Sequence, residues 1–158
     1  FDRVVALAPG HLAWQLARGW ARVLAGRREQ ALEDLAAAAV DPRLAKAAVW
    51  LAALEGERLP GLEVAARGEP PLRDVARFYL GRLDAAALLR HADDAAVTPA
   101  VRAASRCVAR AHLGLDAERR GDRAAALEHY RAALVEERGE MVEHRWAKAR
   151  AAALGEAP

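Results

Sequence analysis

The chain is poor in the residues that most catalytic and disulfide-stabilised domains depend on. Its 158 residues contain one cysteine, one serine and one threonine, and neither isoleucine nor asparagine. The lone Cys107 cannot form an internal disulfide. Ser105 and Thr98 stand outside any Gly-x-Ser-x-Gly motif, which argues against a serine nucleophile. No apolar run approaches the ~18 residues of a membrane span.

Metal and nucleotide sites find no support in the histidine and glycine patterns. None of the five histidines stands four residues from another, and the His-Glu-x-x-His and Gly-x-x-x-x-Gly-Lys motifs are missing. Cys107 and His112 are separated by five positions, which is about 140° around a helix axis, so they do not converge. We therefore expect no catalysis, no cofactor and no metal.

What the chain does have is alanine, which is the strongest helix former. Alanine occupies 42 positions, and the 24 basic and 22 acidic residues are interleaved along the chain. Arginine far exceeds lysine, which together with the missing isoleucine and asparagine is typical of a GC-rich genome. The arginine excess is therefore weak evidence of nucleic-acid binding. The composition predicts an all-α fold, because it contains few of the residues that favour strands.

Two stretches share one pattern of small, turn and large residues. Each has a small residue seven positions before a turn glycine, followed by small, large and small residues at helical spacing. The first copy consists of Gly19, Gly26, Ala31, Leu35 and Ala38, and the second of Gly114, Gly121, Ala126, Tyr130 and Ala133. Both resemble the 34-residue tetratricopeptide repeat, in which small residues let two antiparallel helices approach closely.

The repeat register divides the chain into five parts. Counting back from Leu35 places Phe1, Val4 and Pro9 at large, small and terminating positions of an earlier repeat. We predict the end of that repeat at 1–9, a repeat at 11–43, irregular helical hairpins at 44–97, a repeat at 98–138 and a capping helix at 140–154. The fold prediction is a single right-handed superhelix of tetratricopeptide type.

Local signals place the remaining helix boundaries. Asp41-Pro42 opens a helix that ends near Glu55, and Thr98-Pro99 opens a long helix that ends near Arg119. Between them the sequence predicts a short helix after Pro60, a helix over 72–80 and one that is capped by Asp84 and ends near His91.

The order of several segments resembles the NlpI family of bacterial outer-membrane lipoproteins. Ala76-Arg77-Phe78-Tyr79-Leu80-Gly81, the repeat around Leu113-Gly114 and Met141-Val142-Glu143-His144-Arg145-Trp146-Ala147 follow in the family's order. Upstream, Phe1-Asp2-Arg3-Val4-Val5, Gly26-Arg27-Arg28 and Val49-Trp50-Leu51 also correspond. The chain departs from the family where Ala-Arg-Ala-His-Leu-Gly at 109–114 replaces a second Phe-Tyr-Leu-Gly.

The resemblance implies an exported adaptor at the periplasmic face of the outer membrane. Such an adaptor binds cell-wall hydrolases and a C-terminal-processing protease, forms a homodimer, and is anchored by a lipidated cysteine that would precede Phe1. Cys107, in the middle of a helix, is not that anchor. The alternative is a cytoplasmic repeat protein with unrelated protein partners, and RNA binding is the more distant one.

Seven residues are candidates for partner binding. Trp20 and Leu115 fall at positions that line the concave groove of such repeats, followed by Glu118 and Arg119. Trp20 either anchors a partner or packs on a neighbouring helix, and the two charges either bind a partner or are simply solvated. The remaining candidates form an arginine ridge on one helix face, Arg102, Arg106 and Arg110. This ridge either binds acidic groups of a partner or is neutralised by acidic residues nearby.

Overall fold

The protein is helical throughout the ranges that its computed structural model describes, which are residues 2–8, 10–56, 59–94 and 98–156. Phe1, Pro9, residues 57–58 and residues 95–97, which fall within the predicted segments, lie outside those ranges. The described residues form ten α-helices: α1 Asp2–Leu7, α2 Leu12–Leu24, α3 Arg28–Ala38, α4 Ala45–Glu55, α5 Pro60–Ala65, α6 Leu72–Tyr79, α7 Ala85–Asp94, α8 Pro99–Arg119, α9 Arg123–Leu134 and α10 Val142–Glu156. The all-α prediction is confirmed.

The two predicted hairpins, α2 with α3 and α8 with α9, are present with their turns at the expected glycines. Gly26 and Gly121 have φ angles of +72° and +81°, a left-handed conformation that favours glycine. Gly19 and Gly114 lie where the paired helices approach most closely. A Cβ atom built on Gly114 would lie 2.5 Å from Cε1 of Tyr130, so only glycine fits against this tyrosine.

Side-chain caps begin the helices as the sequence predicts. Oγ1 of Thr98 accepts a hydrogen bond from the backbone N–H of Val101 at 3.3 Å, and Asp84 Oδ1 accepts one from Ala87 at 2.6 Å. At Asp41 the predicted helix begins as a short 3-10 turn over Pro42–Leu44 before α4 starts.

Two predicted boundaries were wrong by a few residues. Helix α7 continues past His91 to Asp94, because Ala92 is buried in the core that α7 shares with α8. Helix α10 begins at Val142 rather than at residue 140, because Glu137 adopts a φ of +49° and the chain turns before the helix starts.

Helix α4 lies at the centre of the molecule. Every residue from Ala45 to Leu54 is buried except the half-buried Lys46. Helix α10 packs on α8 and α9 and also contacts α2, so it joins the last hairpin to the first. Its Trp146 packs edge to face on Trp50 of α4, with ring centroids 6.0 Å apart. This position of α10 helps to shape a cavity between α2, α4, α8 and α10.

Candidate functional site

A cavity of about 450 Å³ lies where α2, α4, α8 and α10 converge. Its apolar lining comes from all four of these helices and consists of Val23, Ala53, Leu54, Leu115 and Trp146. Its other lining residues are Gly26, Arg28, Glu118, Arg119 and Arg150. Cavities of this size, apolar with a few fixed polar groups, are typical binding sites in proteins.

Two of the lining arginines meet at the carboxyl end of α4. Nη2 of Arg28 lies 2.7 Å from Glu55 Oε1 and also donates to the carbonyl of Leu54. Nη2 of Arg119 donates to Asp116 Oδ1 at 2.9 Å. Cationic groups are favourable here because the last carbonyls of a helix carry partial negative charge. Both side chains remain accessible, at 58% exposure for Arg28 and 39% for Arg119.

A hydrogen-bonded network fixes the wall formed by α10. The Tyr130 hydroxyl donates to Glu118 Oε2 at 2.8 Å, and the Trp146 indole N–H donates to the Tyr130 oxygen at 3.3 Å. Arg150 donates to both oxygens of Glu118, and its Cζ lies 5.8 Å from the centroid of the Trp146 ring. Burial, reinforced by the charge of Glu118, raises the pKa of Tyr130, so its hydroxyl stays a donor. The Trp146 indole is therefore held in place by contacts within the chain.

The structure brings three of the predicted binding residues together and places Trp20 elsewhere. Leu115, Glu118 and Arg119 all line the cavity, although Leu115 is only 4% exposed. Trp20 is half-buried outside the cavity, with the Lys46 ammonium 4.9 Å from the centroid of its ring. The glutamate is already engaged by Tyr130 and Arg150, so it orders the wall of the cavity.

The arginine ridge lies away from the cavity. Arg106 pairs with Asp93 on the adjacent α7, and Arg110 Nη1 lies 3.3 Å from Nδ1 of His129. Burial, together with the charge of Arg110, lowers the pKa of His129. Arg102 is exposed. The acidic partner of Arg106 comes from a neighbouring helix. At this position the contact agrees with the interpretation that nearby acids neutralise the ridge.

Sequence reasoning missed the other seven lining residues, among them Arg28, Trp146 and Arg150. Trp146 carried a signal, because a large aromatic side chain on the final helix favours packing against neighbouring helices. The two arginines carried none, since their positions at the cavity depend on how α3 and α10 sit against α4 and α8.

Cys107 and His112, the thiol and imidazole considered in the sequence analysis, are buried away from the cavity. Burial raises the pKa of the Cys107 thiol to about 12 and lowers that of His112 to about 4. The Tyr79 hydroxyl lies 3.1 Å from Nδ1 of His112. Within the described residues, no three His, Cys, Asp or Glu side chains converge on a point where a metal ion could bind. The thiol is protonated and enclosed.

No protein-family model matches the chain, and none of the curated proteins matches it significantly. The resemblance to the NlpI family therefore stays a prediction. Among the helices of the described ranges, none combines the length and the apolar character that crossing a membrane requires.

Proposed function

We propose that this protein is a non-catalytic adaptor that binds segments of other proteins in the cavity between α2, α4, α8 and α10. The observation that carries the proposal is the cavity itself, which is lined by apolar side chains from four helices and by three arginines. Partner side chains that fill such a pocket supply most of the binding free energy in protein interfaces.

The arrangement of the helices supports a tetratricopeptide-type architecture for the adaptor. Two hairpins place glycine at the close approach and at the turn, and α10 covers the last hairpin. We infer a right-handed superhelix of such pairs, in which α10 acts as the capping helix. In this architecture the binding surface is assembled from several helices, as it is in the cavity.

The partners that we propose follow from the resemblance to the NlpI family. They are cell-wall hydrolases and a C-terminal-processing protease, bound at the periplasmic face of the outer membrane by a homodimeric, lipid-anchored protein. The alternative is a cytoplasmic adaptor whose cavity binds unrelated proteins. The two assignments differ in the partner and share the same site.

The chain offers a matched pair of variants to test the adaptor function. Arg28→Ala/Arg119→Ala removes two cavity arginines, whereas Arg27→Ala/Arg120→Ala removes the two adjacent arginines that lie outside the cavity. Arg120 is a close control for Arg119, because its Nε lies 3.0 Å from the same Asp116 carboxylate.

The immobilised wild type and both double variants would be exposed to purified cell-wall hydrolases, a C-terminal-processing protease and a cytoplasmic extract. We expect the wild type and the control to retain a partner that the cavity variant loses. Equal retention by all three would show that partners bind elsewhere. Retention of cytoplasmic proteins alone would contradict the envelope assignment.

A further inference from the structure

We infer that the cavity recognises an uncharged aromatic side chain of the partner, a tryptophan, phenylalanine or tyrosine, rather than an acidic one. The inference rests on the proposed adaptor function and names the chemistry of the group that the cavity holds. Its basis is the pairing of the cavity's arginines with carboxylates of the chain and the exposure of two of these arginine side chains.

The arginines of the cavity are already paired with the chain's own carboxylates. Each one has an acidic partner within ion-pair distance, the pairs being Arg28 with Glu55, Arg119 with Asp116, and Arg150 with Glu118. The three cavity arginines therefore face three carboxylates, of which Asp116 also pairs with Arg120 outside the cavity. The carboxyl end of α4 adds further partial negative charge. An incoming carboxylate would gain little attraction and would meet like charges.

A neutral ring meets favourable surfaces in the same place. Carboxylates bind a guanidinium at its N–H edge, which leaves its planar faces free to stack on aromatic rings. Arg28 and Arg119 remain 58% and 39% exposed beside the apolar Leu54 and Leu115. The chain already contains one contact of this kind, between Arg150 and the ring of Trp146.

The size of the cavity also favours a large side chain. Its volume of about 450 Å³ falls within the range of small-molecule sites and exceeds what a short aliphatic group fills. Aromatic side chains bury the most apolar area of any residue and retain directional contacts with edges and cations.

Three small amides that differ only in their side chain test the inference directly. N-acetyl-tryptophanamide, N-acetyl-leucinamide and N-acetyl-aspartate amide would be titrated into the ¹⁵N-labelled full chain, with the Trp146 indole N–H signal as the readout. We expect the tryptophan probe to bind at least about fivefold more tightly than the other two, consistent with the strength of a stacked cation–ring contact. Preference for the aspartate probe, or equal binding of all three, would overturn the inference.

Salt dependence gives an independent measurement. Raising the ionic strength from about 0.05 M to about 0.5 M shortens the screening length severalfold, so charge-driven binding would weaken strongly. Binding of the tryptophan probe should change by less than about twofold, because the probe carries no charge. A strong loss of affinity would show that net charge drives recognition.

Variants at one position separate charge from stacking. Arg119→Ala should weaken the tryptophan probe about fivefold, and Arg120→Ala should leave it unchanged. Arg119→Lys keeps the positive charge and loses the planar guanidinium, so it should bind about as weakly as Arg119→Ala. Full recovery in the lysine variant would overturn the stacking inference. Circular dichroism and thermal unfolding of each variant verify that the fold is retained.

The outcomes also distinguish this inference from the adaptor function. Partner proteins retained through the cavity without binding of the aromatic probe would overturn the aromatic inference and leave the adaptor function standing. Probe binding without any retained protein would support the chemistry of the cavity and contradict the adaptor function.

Discussion

Replacing Gly114 by alanine should destabilise the protein far more than the same change at Gly19, although both occupy the small position of a hairpin. A Cβ atom at residue 114 would lie 2.5, 2.6 and 3.0 Å from three ring atoms of Tyr130. At residue 19 the nearest atoms, from Asp34 and Leu35, are 3.2 to 3.3 Å away. The first set is a severe overlap and the second only a tight contact.

The surroundings decide the magnitude. Tyr130 cannot move aside easily, because it is fully buried and its hydroxyl is bound by Glu118 and Trp146. Alanine gains about 1 kcal/mol over glycine in a helix interior. Overpacking a rigid core costs about 1–3 kcal/mol and sometimes more. At the upper end of that overpacking cost, less the gain from alanine, we expect a net loss of about 2 kcal/mol for Gly114→Ala and a change within about 1 kcal/mol for Gly19→Ala.

Urea unfolding of the wild type and both variants measures this difference. Gly155→Ala serves as a control, because a Cβ atom added to Gly155 in α10 would meet no neighbouring atom within 4 Å, and we expect no loss there. A loss of about 2 kcal/mol should lower Tm by roughly 4–8 °C for a chain of this size. If Gly114→Ala were as stable as Gly19→Ala, the close approach of α8 and α9 would be refuted.

Three further predictions concern buried polar groups. Burial lowers the pKa of His112 to about 4, below its unfolded value of about 6.5. Between these two values the unfolded chain binds more protons than the folded chain, so the free energy of unfolding falls as the pH falls. In urea unfolding at pH 7 and pH 4, His112→Asn should remove about 3 kcal/mol of that acid loss, and equal losses in both proteins would contradict this. Asp34→Ala removes the buried carboxylate that Arg18 and Arg22 share and leaves them only the exposed carboxylate of Asp2. It should cost about 2–3 kcal/mol in the same assay, and a neutral effect would show that the buried carboxylate does not stabilise the hairpin. Cys107, fully buried with a pKa raised to about 12, should react with iodoacetamide only in denaturant, and rapid labelling of the native protein by mass spectrometry would show that α8 opens.

The hairpins were predictable from the sequence because their signals are local. Gly26 and Gly121 mark turns that require a left-handed backbone, and Gly114 marks a close approach that excludes a Cβ atom. Thr98 capped its helix as expected. Such signals depend on neighbours a few residues away, so one sequence suffices to find them.

The cavity was predictable only in part, because its geometry is set by contacts between distant segments. Periodicity placed Leu115 and Arg119 on the correct side of α8, and both line the cavity. It could not show that Arg28 and Arg150 complete the site, since their distance from Leu115 depends on how four helices pack. Trp20 faces Lys46 for the same reason: the position of α4 is a tertiary feature.

The contact of α10 with both the last hairpin and the first affects how the protein should unfold. Repeat arrays in which each unit touches only its neighbours can melt in stages from one end. Here the terminal helix bonds to Tyr130 of α9 through Trp146, contacts α2, and forms an ion pair between Glu143 and Lys46 of α4. Unfolding of either hairpin removes contacts that hold α10 in place. Because α10 also packs on the other hairpin, that hairpin loses contacts as well. The two hairpins are therefore linked through α10, and the helices should lose their structure together in a single cooperative transition.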